Sequence, residues 1–140
     1  MNLHELKMKP LRHTLNSTDW AELQESLADH GMLAFPIVSG SMEPLIKVGD
    51  TIIVEPSSTP LQPFDIVVFR REDKLICHYV LHLNRLPGPD GLARIITRGL
   101  NSNSEDFPVA VNEILGRVTN FKISFFMRFR QALKMMRRRR

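Results

Sequence analysis

The chain has 140 residues, 43% of them hydrophobic, and a formal net charge of +4, which suits one globular unit with a sizeable core and short extensions. The charge is uneven: residues 121–140 hold eight Lys or Arg and no acid, while residues 1–120 set eleven bases against fifteen acids, a balance of −4. The body therefore has no nucleic-acid footprint, and only the tail is suited to an anionic partner. The single cysteine, Cys77, excludes an internal disulfide and a Cys-based metal cluster, and no metal or cofactor is expected. The first twenty residues carry charge and polarity throughout, unlike a signal peptide, and no stretch reaches the run of about 20 apolar residues that a membrane-spanning helix needs. The expected location is therefore cytoplasmic or peripheral to a membrane.

In chain order, "STDWAELQESLADHG" (residues 17–31) predicts a short helix, capped by Ser17 or Thr18, with Trp20, Leu23 and Leu27 on one face and Gly31 as its stop. The period then changes to that of strands. "MLAFPIV", "DTIIVE", "FDIVVFR", "LICHYVLHL", "ARIIT" and "ILGRVT" are short, rich in β-branched residues, and separated by Gly, Pro, Asn and Asp clusters. Many strands without intervening helices predict a mainly β fold, an antiparallel and partly barrel-like sheet. "PGPDG" (residues 87–91) is a turn signal that makes residues 75–98 a hairpin. From Phe121 a helical stripe returns, with Phe125, Phe126, Phe129, Leu133 and Met136 on one side and Arg128, Gln131 and Arg138 largely away from it.

Two stretches could carry chemistry. In "VSGSMEPLIKVGD" (residues 38–50), Gly40 would let the backbone turn so that Ser41 presents its hydroxyl and its own N–H, with Ser39 as a second donor. An ordinary Ser/Gly turn is the plain alternative. In "LICHYVLHL", alternation puts Leu75, Cys77, Tyr79, Leu81 and Leu83 on a core face and Ile76, His78, Val80 and His82 on the other. His78 and His82 would stand about 13 Å apart along an extended strand, too far to serve one serine together. An imidazole can take a serine's proton at pH 7, since its ordinary pKa is about 6.5. His82 is read as a half-buried strand histidine.

"SGSMEPLIKVGD", "FDIVVFR", "ICHYV", "ITRGLNSNSEDFPV" and "ILGRV" resemble, in order and spacing, the conserved boxes of the type I signal peptidases and their serine-peptidase relatives of the S24/S26-type fold. The resemblance covers roughly residues 36–118 and rests on the ordered set. It implies Ser41 as nucleophile and Ser39 as a hydroxyl donor to the oxyanion hole. Common bacterial members have lysine in the third box, whereas endoplasmic-reticulum and archaeal forms have histidine. "CHYV" is similar to the histidine branch and implies His78 as base. The fourth box of that branch commonly reads like "TKGDNN" with aspartates following. Here Thr97, Arg98, Gly99 and Asn101 are kept, Leu100 stands where the first aspartate is expected, and Glu105 and Asp106 match the later acids. Asp106 is the expected partner of the histidine, with Glu105 second and two solvated loop acids as the alternative. Met42 is expected beneath the serine turn. Asp50 and Asp65 are read as turn formers, with Phe64 in place of the usual glycine before Asp65.

These readings divide the chain into an N-terminal extension with a short helix (1–31), a peptidase-like β domain (32–120) and a basic amphipathic tail (121–140). The expected function is a serine endopeptidase that resembles signal peptidase I and removes a leader or signal segment from a precursor peptide or protein. The catalytic set would be Ser41, His78 and Asp106, with Ser39 and the Ser41 N–H as oxyanion donors. The alternative is a catalytically weak or inactive interaction module recruited by its tail; self-cleavage, as in the related repressor-type peptidases, is a third reading. Several destinations are open to the tail: an anionic membrane surface, a partner protein, nonspecific nucleic acid, or its own body. Packing of the Phe residues against the body, with the terminal arginines free, is the expected one.

Overall fold

Asn16, rather than Ser17 or Thr18, starts the first helix, α1 (Ser17–His30): its side chain accepts from the Asp19 N–H while the Asp19 carboxylate accepts from the Asn16 N–H. Gly31 closes α1 in the left-handed conformation, and Trp20, Leu23 and Leu27 are its buried face. The structure, a computed structural model, describes residues 16–84 and 87–138.

Seven strands follow among the described residues: β1 (Leu33–Pro36), β2 (Thr51–Glu55), β3 (Ile66–Arg71), β4 (Lys74–Asn84), β5 (Arg94–Arg98), β6 (Val109–Ala110) and β7 (Ile114–Val118). β6 has two residues, too few to show an alternating pattern, and it was not predicted. All pairings are antiparallel, in the spatial order β1-β2-β7-β3-β4-β5-β6. The sheet is open, which corrects the expected barrel-like closure. A barrel needs its two edge strands to pair, and among the described residues β6 pairs only with β5 and β1 only with β2. The β4–β5 hairpin forms as expected, with Asn84 opposite Arg94.

Apolar side chains cover both faces of the sheet. The larger cluster joins Trp20, Leu23 and Leu27 of α1 to Phe35, Met42, Ile46, Val54, Val68, Cys77 and Tyr79, and the smaller one gathers Val67, Phe69, Val80, Ile95 and Val109. The second face of β4 is thus core as well, where the sequence suggested a face marked mainly by histidines. A bulge between Val80 and His82 inserts Leu81 as an extra residue opposite β5. It shifts the alternation, so Leu83 packs with Ile76 and Val80 in the smaller cluster rather than with Leu75 and Cys77.

Phe64 occupies the turn into β3 with φ of 73°, the left-handed region that a glycine would enter without strain. Its ring stacks on Tyr79 at 5.7 Å between centroids and lies under the Arg128 guanidinium at 5.2 Å. These contacts offset a strain on the order of 1–2 kcal/mol. Asp65 accepts from the Gln62 N–H and Asp50 from the Lys47 N–H, the turn geometry expected of both.

The last helix, α2 (Phe125–Arg138), reverses the expected packing. Phe125, Phe126, Phe129, Leu133 and Met136 are exposed, and the face against the body carries buried Gln131 with half-buried Met127, Lys134 and Met135. The reason lies in what α2 meets. Arg98 is only 1% exposed, and its guanidinium donates to the Tyr79 hydroxyl at 2.8 Å and to Gln131 Oε1 at 2.9 Å. Gln131 Nε2 and Lys134 Nζ donate to the Leu100 carbonyl at 3.4 and 3.1 Å. Only the polar side of α2 can satisfy these buried groups.

Candidate active site

The serine loop is built from the chain that leaves β1. Ile37 N–H donates to the Asp50 carbonyl and Gly49 N–H to the Ile37 carbonyl, closing the loop at its base. Met42 and Ile46 are buried and tether it to the larger core cluster, as expected of Met42. Gly40 does not use a positive φ, so its role as a conformational hinge is not required here. The Oγ atoms of Ser39 and Ser41 lie 3.3 Å apart, within reach of a hydrogen bond. The Ser41 N–H donates no hydrogen bond within the described residues, which leaves it available to an incoming oxyanion.

His78 projects from the middle of β4, half-buried, with the Phe69 ring edge-on at 6.1 Å. Asp106 Oδ2 accepts from His78 Nδ1 at 2.5 Å and from the Thr97 hydroxyl at 2.7 Å, and the Asp106 N–H donates to the Thr97 carbonyl at 2.9 Å. A carboxylate on Nδ1 fixes the proton there and leaves the Nε2 lone pair free to act as a base. Burial raises the Asp106 pKa, but hydrogen bonding and charge from His78, joined by Thr97 and Arg71, outweigh it and hold the carboxyl below the usual range. Glu105, the second choice, lies instead 3.7 Å from His82 Nε2 in an exposed pair that contributes little. The bulge after Val80 and the β5 register thus separate the two histidines and the two acids into one half-buried pair and one surface pair.

Gly99 brings serine and histidine together. A β-carbon on it would stand 2.8 Å from the Ser41 carbonyl oxygen, 3.2 Å from His78 Nε2 and 3.4 Å from Ser41 Cβ. The imidazole Nε2 and the serine side chain therefore border the same small space above Gly99, and any larger residue would drive them apart. The Asn101 N–H donates to the Ser41 carbonyl at 3.0 Å and anchors the serine loop to the end of β5. No hydrogen bond joins Ser41 Oγ to the imidazole among the described residues; the hydroxyl is turned to Ser39. Such contacts commonly tighten only when substrate is bound.

A cavity of about 240 Å³ opens beside the pair, walled by Ile37 and Val38 on one side and Leu75 and Ile76 on the other, with Ser39, Ser41 and His78 at its polar end. Cys77 also borders it, but burial pushes its thiol up to about 12, so it stays protonated and does not compete as a nucleophile.

Several contributors escaped the sequence reading. Thr97 was noted only as part of a box, and its bond to Asp106 depends on the β5 register; the close approach at Gly99 depends on the serine loop, β4 and β5 meeting. Leu100, the departure from the expected aspartate, is buried in the larger core cluster, and its carbonyl receives α2.

No curated protein and no solved structure matches the chain. Residues 11–119 match the family model described as Peptidase S24-like. That span takes in the serine loop, His78 on β4 and Asp106, and the match covers most of the chain: the protein belongs to the Peptidase S24-like family.

Proposed function

We propose that the protein is a serine endopeptidase that cleaves a precursor peptide or protein in the manner of a signal peptidase, through a Ser41–His78–Asp106 relay. The observation that carries this reading is the ordered chain of polar atoms at the site. Asp106 holds Nδ1 of His78 at 2.5 Å, and Nε2 faces the space above Gly99 that Ser41 also borders. In the proposed reaction Ser41 Oγ attacks the scissile carbonyl while His78 Nε2 takes its proton. The oxyanion is held by the Ser41 N–H and the Ser39 hydroxyl, and His78 then protonates the leaving amine. Water deacylates the enzyme by the same route.

The substrate would bind as an added strand. Residues Lys74–His78 of β4 pair with β3 on one edge, while β5 begins pairing only at Tyr79, so the other edge of that segment has no strand partner among the described residues. An extended peptide lying there would pass between Leu75–His78 and Ile37–Ser39 and present alternate side chains to the cavity. Like the serine peptidases that it resembles, the protein would favour small side chains before the cleaved bond.

The check is cleavage of a synthetic precursor peptide with small residues before the scissile bond, followed by mass spectrometry. Wild type should cut at one position, and Ser41→Ala and His78→Ala should each lower kcat by at least about 10³-fold with KM little changed. Cleavage retained by either variant excludes the relay. The hydrogen bond of Ser41 to Ser39 rather than to His78 favours a second reading, a peptidase fold kept as a weak or inactive module. On that reading no peptide of this type is cut even by wild type.

A further inference from the structure

α2 is turned inside out relative to an ordinary surface helix. Its body-facing side mixes polar Gln131 and Lys134 with Met127 and Met135, and its outward side presents Phe125 at 84%, Phe126 at 67%, Phe129 at 56% and Met136 at 63% exposure, with Leu133 completing the stripe. At 3.6 residues per turn these five positions span about 100° of the helix, opposite Gln131 and Lys134, which hold α2 to Leu100. Arg130 and Arg137 line one border of the stripe, beside Phe126, and are exposed. A continuous apolar stripe of this kind on a surface helix is the kind of patch that marks an interaction site.

Charge selects among occupants. Residues 121–140 carry eight Lys or Arg and no acid, so a second copy packed antiparallel on the stripe would bring the flanking arginines of both helices together with no carboxylate on either to offset them. Aromatic and aliphatic side chains on one face with arginines along its border are matched instead to the interface of an anionic bilayer, where the rings enter the acyl boundary and the guanidinium groups meet phosphates. We propose that the outward face of α2 binds the surface of an anionic phospholipid bilayer and holds the protein there peripherally. Among the described residues no helix is long and apolar enough to cross a membrane, so attachment through α2 is interfacial.

The placement has a consequence for the serine loop. Met127, Arg130, Gln131 and Lys134 of α2 share one cleft with Glu43 and Pro44, which directly follow Ser41 and Met42. With α2 lying in the interface, the loop stands at the edge of the membrane surface, where a peptide segment leaving the lipid can reach it.

The test is co-sedimentation of the full chain with vesicles, which reads binding and needs no peptidase activity. Vesicles of equal parts phosphatidylcholine and phosphatidylglycerol should bind the protein at least about tenfold more tightly than phosphatidylcholine alone, with affinity falling as salt rises from about 0.05 to 0.5 M. The double variant Phe126→Ser/Phe129→Ser, altered only at exposed positions, should keep its far-UV circular dichroism and lose at least about tenfold in binding. Arg130→Gln/Arg137→Gln should reduce the preference for the anionic vesicles. Absence of binding to anionic vesicles, or binding unchanged in the Phe variant, overturns the proposal. So does a concentration-dependent dimer in sedimentation velocity that the Phe variant abolishes, since the stripe would then belong to a second copy.

Discussion

Asp106 concentrates two hydrogen bonds on one oxygen, from the His78 ring and the Thr97 hydroxyl, and this is the contact on which the Ser-His reading depends most. Asp106→Asn keeps the shape but can present an amide N–H to Nδ1, which selects the wrong tautomer. The expected outcome is a fall in kcat on the order of 10³- to 10⁴-fold in the peptide assay. The same substitution has a stability signature. The Asp106 carboxyl titrates lower in the folded protein than in the unfolded chain, where an aspartate has a pKa of about 3.9. Its stabilising contribution is therefore present above about pH 4 and is lost as pH falls through the lower folded value. Thermal midpoints measured from pH 7 to pH 3 should show the advantage of wild type over Asp106→Asn shrinking at the acid end; a gap that stays constant with pH contradicts the depressed carboxyl. The residue types at Ser41, His78 and Asp106 were readable from spacing and resemblance. The close approach over Gly99 was not, because it arises from two strands and a loop that are far apart in sequence.

Individual elements were more legible in their existence than in their phase. The α1 stripe and the β4–β5 hairpin follow from period and turn chemistry, whereas the β4 bulge displaced Leu83 to the opposite face, since a single unpaired residue is invisible to a pattern of period two. α2 shows a stronger failure of pattern reasoning. Its apolar stripe was readable, but the rule that such a stripe faces the core was overridden by Arg98. The Arg98 guanidinium is buried with no carboxylate in salt-bridge reach among the described residues, and its acceptors are Tyr79 and Gln131. Burial pushes the Tyr79 phenol upward against the opposing pull of Arg98, and it remains a neutral hydroxyl that donates a hydrogen bond to Gln131 Oε1. Gln131→Leu should therefore cost about 2–4 kcal/mol in urea unfolding, because it strips acceptors from a buried charge. Adding Arg98→Met should recover part of that loss, by removing the charge that was stranded. Equal and additive losses from the two substitutions would show that the groups are not coupled.

At the level of the whole molecule, one sheet carries both the site and the helices that flank it. α1 joins the larger core cluster through Trp20, the single tryptophan, and α2 is tied to β5 beside Thr97 through Arg98. Loss of either helix exposes groups that the sheet cannot satisfy alone, so the protein should unfold in one cooperative step. Trp20 fluorescence and far-UV ellipticity should follow coincident urea transitions; an early ellipticity loss at constant fluorescence would mean that α2 unfolds independently. By itself the sequence determined the mainly β class, the order along the chain of every strand but β6, the basic tail and, through resemblance, the residue types of the candidate site, because periodicity and turn chemistry are local properties and motif order is read along the chain. Three matters were decided only by the tertiary structure. The sheet stays open because its edge strands, β6 and β1, do not pair among the described residues. Asp106 rather than Glu105 reaches His78 because the β4–β5 register places Thr97 beside it. α2 turns its aromatic stripe outward because a buried arginine from β5 demands the polar side of the helix. Each depends on which groups meet across long separations in the chain and on the cost of leaving a buried polar group unpaired, quantities that no local pattern encodes.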